Sequence, residues 1–249
     1  MEHPPLRALI LHGFTGNLET VRILGPLCTS RGLSYEMPLL RGHGTVPEDL
    51  MGVTWREWYA DAEQALLSLS ADGARVVVLG LSMGGLLTLD LASRHPSRVA
   101  GLVTIAAALE LGSPLLPLLP LLSPFVTWWR GKPESTLPDP ATYDRFPLSG
   151  VRSLLEYQGV VRERLNAVKA PILVVQSWND GTVRPRAATV IFERVASRDK
   201  QMMRFERSEH DMLIGIEKEA VVDSIGRWLD ARLPLWTAAD MAAGGSAAL

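Results

Sequence analysis

The chain has 249 residues, 47% of them hydrophobic and 21% charged, and its formal net charge is −2. That length suits one large α/β domain with room for an insertion. The near-neutral balance without a basic block argues against a nucleic-acid partner, and histidines without a metal-type spacing give no support for a bound metal. The single cysteine, Cys28, cannot form an internal disulfide; it reads as helix packing and fits a reducing cytoplasm. No secretory leader is expected, because Arg7 already leads into a strand.

Residues 6–12 (Leu-Arg-Ala-Leu-Ile-Leu-His) read as a buried strand that opens into His12-Gly13-Phe14-Thr15-Gly16. Glycines there let main chain approach a ligand closely, although the same pattern serves an ordinary strand-to-helix turn. A helix is predicted over 18–31 with Gly32 closing it, then a strand over 33–40 running into Arg41-Gly42-His43-Gly44. His43, between glycines, reads as a loop-shaping residue. Thr54 is a helix cap with Glu57 as its reciprocal partner. The helix over 55–69 carries Trp55, Trp58, Tyr59 and Leu66 at helical spacing, as core residues.

Residues 75–87 carry the densest signal. Val76, Val77, Val78 and Leu79 form the continuous apolar run of a strand buried on both faces. Residues 83–95 are apolar nearly all round, as in a buried helix, and His95-Pro96 ends it. Between them lies Gly80-Leu81-Ser82-Met83-Gly84. A turn sharp enough to lift Ser82 clear of the sheet strains its backbone and crowds the main chain. Gly80 and Gly84 remove the side chains that would collide. The helix behind points free N–H groups and its positive dipole end at the serine, favouring an oxyanion there.

A further buried strand spans 99–107. From 114 to 147 the composition changes: prolines recur among paired leucines, Trp128 and Trp129, with no strand-like alternation. This reads as an insertion of short helices and turns over Ser82. Its apolar stretch has membrane-like composition, but Pro114, Pro117, Pro120 and Pro124 break it, so no stable membrane insertion is expected. A helix is predicted over 148–168, a strand over 171–176 ending near Asp180, a helix over 186–197, a strand over 201–205, and a closing helix over 214–233. The predicted division is a core of residues 1–111 and 148–234, a cap of 112–147 and a loose tail of 235–249, rich in alanine and glycine. The strand–helix alternation predicts a mostly parallel central sheet flanked by helices.

The Gly-x-Ser-x-Gly turn between strand and helix resembles the nucleophile elbow of α/β-hydrolases. In that fold the partners follow in the order serine, acid, histidine. Only His210 follows the insertion; His95 is fixed at the far end of the helix that starts at Ser82. Asp180 at a strand end is the favoured acid, over Asp199 on the wrong edge and over Glu209 and Asp211, which flank His210. These motifs, with Arg41-Gly42-His43-Gly44-Thr45, make residues 6–233 similar to the bacterial carboxylesterase and monoacylglycerol lipase family. The resemblance implies a Ser82–Asp180–His210 triad, an oxyanion hole from the N–H groups of Phe14 and Met83, a small cap, no cofactor and no metal. It implies ester hydrolysis of a small-molecule substrate through an acyl-enzyme.

The apolar, proline-stiffened insertion implies a preformed pocket for short to medium acyl esters, including monoacylglycerols. The same run offers a homodimer contact through the cap or a membrane-facing patch. Thioester or amide hydrolysis, or acyl transfer, would use the same triad. A ligand receptor that turns over slowly would share the fold. Dehalogenases and epoxide hydrolases are disfavoured, since they need aspartate where Ser82 stands.

Overall fold

Alternate residues of each central strand feed two separate cores, because successive side chains point to opposite faces. In the computed structural model, which describes residues 5–112, 127–130, 143 and 145–236, the strands are β1 (Leu6–Leu11), β2 (Ser34–Glu36), β3 (Arg75–Leu81), β4 (Val99–Ile105), β7 (Ile172–Ser177) and β8 (Lys200–Phe205). They form one parallel sheet in the order β2-β1-β3-β4-β7-β8. A separate short ladder pairs β5 (Trp128–Arg130) with β6 (Arg145–Pro147).

Leu9, Leu11, Val76, Val78, Ile172 and Val174 pack on one face, under α2 (Trp55–Leu69), α3 (Met83–Arg94), α4 (Leu148–Arg164) and α5 (Arg186–Arg194). Ala8, Ile10, Val77, Leu79, Leu173 and Val175 pack on the other, under α1 (Leu24–Thr29) and α6 (Lys218–Asp230). Each fully buried Val or Leu contributes about 1.5–3 kcal/mol, so two-sided burial of the inner strands dominates the stability. Cys28 lies fully buried in the second core, as helix packing requires. The buried Asp90 of α3 is satisfied by Arg94 at 2.9 Å, Arg164 at 3.0 Å and Tyr157 at 3.2 Å, tying α3 to α4.

The strand order reverses direction between β1 and β3. In open parallel sheets that reversal leaves a crevice at the carboxyl ends of the strands, where ligands bind. Leu11 pairs with Gly80 there, so the turn after β1 and the turn after β3 lie side by side.

Several predicted boundaries shift, for local reasons. Pro26 has no N–H and is tolerated only in a first helical turn, so the helix predicted over 18–31 is a 3₁₀ turn, Leu18–Thr20, followed by the short α1. The strand predicted over 33–40 is only Ser34–Glu36, cut off before Pro38. α5 stops at Arg194, and Val195 is already extended. α6 begins at Lys218 because Glu217 is engaged with the preceding loop. Thr54 donates its N–H to Glu57 at 2.7 Å, as the cap pattern predicts, and its hydroxyl donates to the same carboxylate oxygen at 2.9 Å.

Of the predicted cap, residues 113–126, 131–142 and 144 lie outside the described residues, including Leu115, Leu116, Leu118, Leu119, Leu121, Leu122 and Phe125. What is described differs from helices and turns alone: β5 and β6 form an antiparallel pair with Trp129 opposite Phe146. The tail, predicted loose from Leu235, is docked at its start. Trp236 is 6% exposed and meets Trp228 edge-on at 5.6 Å; residues 237–249 lie outside the described residues. Alanine-rich composition after Trp236 hid one anchoring aromatic. No helix among the described residues is long and apolar enough to cross a membrane.

Candidate active site

Ser82 stands between β3 and α3 with φ 54° and ψ −113°, a left-handed conformation that an L-residue adopts only at a cost. Three backbone hydrogen bonds hold it there. Its N–H donates to Ile105 at 2.8 Å, and its carbonyl accepts from Gly85 at 2.9 Å and Ala108 at 3.1 Å. The glycines are required by contact. A Cβ on Gly80 would lie 2.1 Å from the Gly84 carbonyl oxygen, and one on Gly84 would lie 2.2 Å from that of Leu11.

His210, in the loop after β8, brings Nε2 to 2.9 Å from Ser82 Oγ and Nδ1 to 2.9 Å from Asp180 Oδ2. Nδ1–H donates to the carboxylate, which leaves the Nε2 lone pair for the serine hydroxyl. All three residues are buried. Asp180 Oδ1 accepts the N–H groups of Thr182 and Val183 at 2.9 and 2.8 Å, and Oδ2 also accepts the Gln176 amide at 2.9 Å. Burial opposes ionisation of Asp180, but the hydrogen bond and charge of His210, with the N–H groups of Val183 and Thr182, hold its carboxyl below the usual range.

The turn after β1 faces the serine. A Cβ on Gly13 would lie 3.2 Å from Ser82 Cβ and 3.8 Å from Oγ, so the Gly13–Phe14 peptide runs beside the hydroxyl. Among the described residues neither the Phe14 nor the Met83 N–H finds an acceptor. Two N–H groups unbonded among the described residues thus lie next to the elbow, that of Met83, which follows Ser82, and that of Phe14, which follows Gly13.

His12 braces that turn. Its Nε2 accepts the Leu40 N–H at 3.1 Å, so Nδ1 carries the proton and donates to the Gly13 carbonyl at 2.9 Å. Burial first, then the neighbouring His43, lowers its pKa to about 3, against the opposing Gly13 bond. Burial likewise lowers His43 to about 4. His43 shapes its loop by bonding the Arg41 carbonyl at 3.1 Å and lies edge-on to Phe14 and Trp58. Phe14 also meets Phe146 at 5.8 Å, and Gly150 of α4 leaves room for its ring.

The predicted site residues Ser82, Asp180, His210, Phe14, Met83, Gly80 and Gly84 thus converge. The rejected candidates lie elsewhere: His95 bonds Glu63 at 2.7 Å, Asp199 pairs with Arg232 at 2.8 Å, and Glu209 is exposed. The sequence reading missed the residues that support the triad, namely the His12 brace, Gln176, and Glu217, which accepts the Ser208 N–H at 2.7 Å in the loop before His210. Only Gln176 left a trace, as a polar residue ending an otherwise apolar strand run. Among the described residues no cluster of acids, histidines and cysteines could hold a metal ion.

An elbow serine at the sheet reversal, in line with a buried histidine and carboxylate, is the arrangement of a serine hydrolase of the α/β-hydrolase class. Sequence comparison agrees. Residues 3–219 match the family described as serine aminopeptidase, S33, and the chain belongs to that family. It is 29% identical over 232 residues to a thermostable monoacylglycerol lipase of Bacillus sp. (strain H-257), covering 89% of each chain. It is 28% identical over 226 residues to a carboxylesterase of Bacillus subtilis (strain 168), covering 89% of this chain and 91% of that one. Among solved structures, one reported for the metagenome-derived lipolytic enzymes LipS and LipT superposes with a TM-score of 0.85 at 28% identity, covering 92% of this chain and 95% of the other. The monoacylglycerol lipase of Paleococcus ferrophilus, at 20% identity and a TM-score of 0.73, shares the fold, with 89% and 93% of the chains covered.

Proposed function

We propose that the chain hydrolyses carboxylic esters of short to medium acyl length, monoacylglycerols among them, through an acyl-enzyme on Ser82. The observation that carries the reading is the line from Ser82 Oγ through His210 to Asp180, each step 2.9 Å, beside two spare backbone N–H groups. Ser82 attacks the ester carbonyl as His210 Nε2 takes its proton. Asp180 keeps the imidazole in the Nδ1–H tautomer and stabilises the imidazolium. The N–H groups of Phe14 and Met83 bind the tetrahedral oxyanion, each worth about 10²–10³ in rate. His210 then protonates the departing alcohol, and water repeats the cycle on the acyl-enzyme.

The ester reading is supported by the similarity to a monoacylglycerol lipase and a carboxylesterase. The acyl-length reading rests on residues 112–147 as a cap over the core of 1–111 and 148–234. Phe14, Trp129 and Phe146 pack against the buried Leu148 and Val151, an apolar wall that includes the side chain of one of the two oxyanion donors. Each methylene buried there adds about 0.8 kcal/mol until the pocket is full. The buried lone Cys28 fits a reducing compartment, which supports the cytoplasm as the chain's location.

The test is a p-nitrophenyl ester series from acetate to palmitate, run below and above each ester's solubility limit, with thioester and p-nitroanilide arms. Rates that peak at short to medium chains, over many turnovers per chain, support the reading. Rates that climb to palmitate or jump as droplets form contradict the fixed cap. Faster anilide or thioester cleavage contradicts the ester assignment, and release that stops at one equivalent indicates a receptor.

A further inference from the structure

We infer that Gln176 is a positioning residue for the acid of the triad, fixing Asp180 Oδ2 towards His210; the inference rests on the proposed catalytic role of Asp180. Gln176 follows Ile172, Leu173, Val174 and Val175 on β7, all buried and apolar. An amide 1% exposed at the end of such a run loses its hydration and its side-chain freedom, and both losses need a compensating partner. Its partner is Asp180: Gln176 Nε2 donates to Oδ2 at 2.9 Å, and to the Ser177 carbonyl at 3.1 Å.

The carboxylate is held at two points of different kind. Oδ1 takes two N–H groups from the turn that follows Asp180 itself, Thr182 and Val183. Those bonds travel with the turn. Gln176 is anchored elsewhere, in the sheet, where β7 is paired with β8 at Gln176–Arg204. Its amide therefore sets the carboxylate plane relative to the sheet and not to the loop. Oδ2 is also the oxygen that receives His210 Nδ1–H at 2.9 Å, so the side chain that orients this oxygen orients the imidazole. The amide gives one donor to the charged carboxylate without introducing a second charge beside it.

The experiment is a double-mutant cycle on ester hydrolysis, with folding followed by circular dichroism. Gln176→Met keeps the length and removes the donor. Alone it is expected to lower kcat about tenfold or more, the worth of a hydrogen bond to a charged group, with KM within about twofold of wild type. In an Asp180→Asn background, where the charge is absent, the same substitution is expected to change kcat by less than about twofold. A packing role would give the same loss in both backgrounds, and that result overturns the inference, as does wild-type kcat in Gln176→Met. If Asp180→Asn alone retained wild-type kcat, the acid assignment would fail first, and the positioning role with it. Should Gln176→Met not fold, Gln176→Asn, whose shorter amide falls short of Oδ2, is read by the same two criteria.

Discussion

Glu217 holds Ser208 through a single carboxylate oxygen, which accepts the Ser208 N–H at 2.7 Å and its hydroxyl at 2.8 Å. The same oxygen accepts the Arg207 N–H at 3.0 Å. From the other side the Ser177 hydroxyl, at the end of β7, donates to the Ser208 carbonyl. The loop that carries His210 is thus clamped two residues upstream, between the foot of α6 and the strand that leads to Asp180.

Glu217→Ala is therefore expected to lower kcat by about tenfold with little change in KM, because a displaced base costs rate more than binding. Burial opposes ionisation of Glu217, but the Ser208 hydroxyl and N–H, with the N–H and charge of Arg207, hold its carboxyl below the usual range. A carboxyl depressed in the folded state adds stability above its unfolded value, near ~4.3, and loses that stability as pH falls through its folded value. The Tm gap between wild type and Glu217→Ala should be widest near neutrality and close in acid. A gap of constant size down to acid pH would contradict the clamp.

Asp180→Asn is expected to cut kcat by as much as ~10⁴, the loss that follows when the histidine is held in the wrong tautomer. Glu209→Gln, at an exposed position beside His210, should stay within about twofold of wild type. Steady-state kinetics on one ester decides between them. The reverse pattern would move the acid to Glu209.

Gly84→Ala should prevent folding or lower Tm steeply, since its Cβ would lie 2.2 Å from the Leu11 carbonyl oxygen and 2.8 Å from that of His12. Relief requires moving main chain of β1 away from the elbow. Gly159→Ala is the control, because a Cβ there meets nothing within 4 Å and α4 should gain about 0.5–1 kcal/mol. Thermal melts of the two variants test the contrast; similar Tm values would contradict the close approach.

Trp236→Ala should cost about 3 kcal/mol or more, and a Tm fall of about 6 °C or more, as a large buried aromatic is lost. Trp236 packs on Trp228, and an added Cβ at Gly101 would meet its ring at 2.5 Å. Removing residues 238–249, rich in alanine and glycine, should leave activity and Tm nearly unchanged. Equal losses from both changes would show that the docking contact extends past Trp236.

The inner strands were legible because two-sided burial writes itself as continuous apolar runs, and the elbow because glycine is forced where backbone nearly touches backbone. Ser82, Asp180 and His210 followed from one pentapeptide, one strand end and one remaining histidine. Helix ends were less legible: whether Pro26 sits inside or before a first turn depends on where the chain leaves the sheet. The supporting residues were illegible for a different reason. His12, Gln176 and Glu217 act through contacts 28, 4 and 9 residues away, and none belongs to a pattern with a period. The β5–β6 pair was hidden because Trp129 and Phe146 meet across an insertion whose composition shows no alternation.

The central claim is that Ser82 itself becomes acylated. The most direct measurement is rapid mixing of the enzyme with a p-nitrophenyl ester, followed by acid quench and mass analysis of the peptide that contains Ser82. Wild type is expected to carry one acyl group on Ser82, and Ser82→Ala to fold normally, remain unmodified and release no p-nitrophenol above background. Acyl mass on another residue, or steady hydrolysis by pure Ser82→Ala protein, would contradict the account.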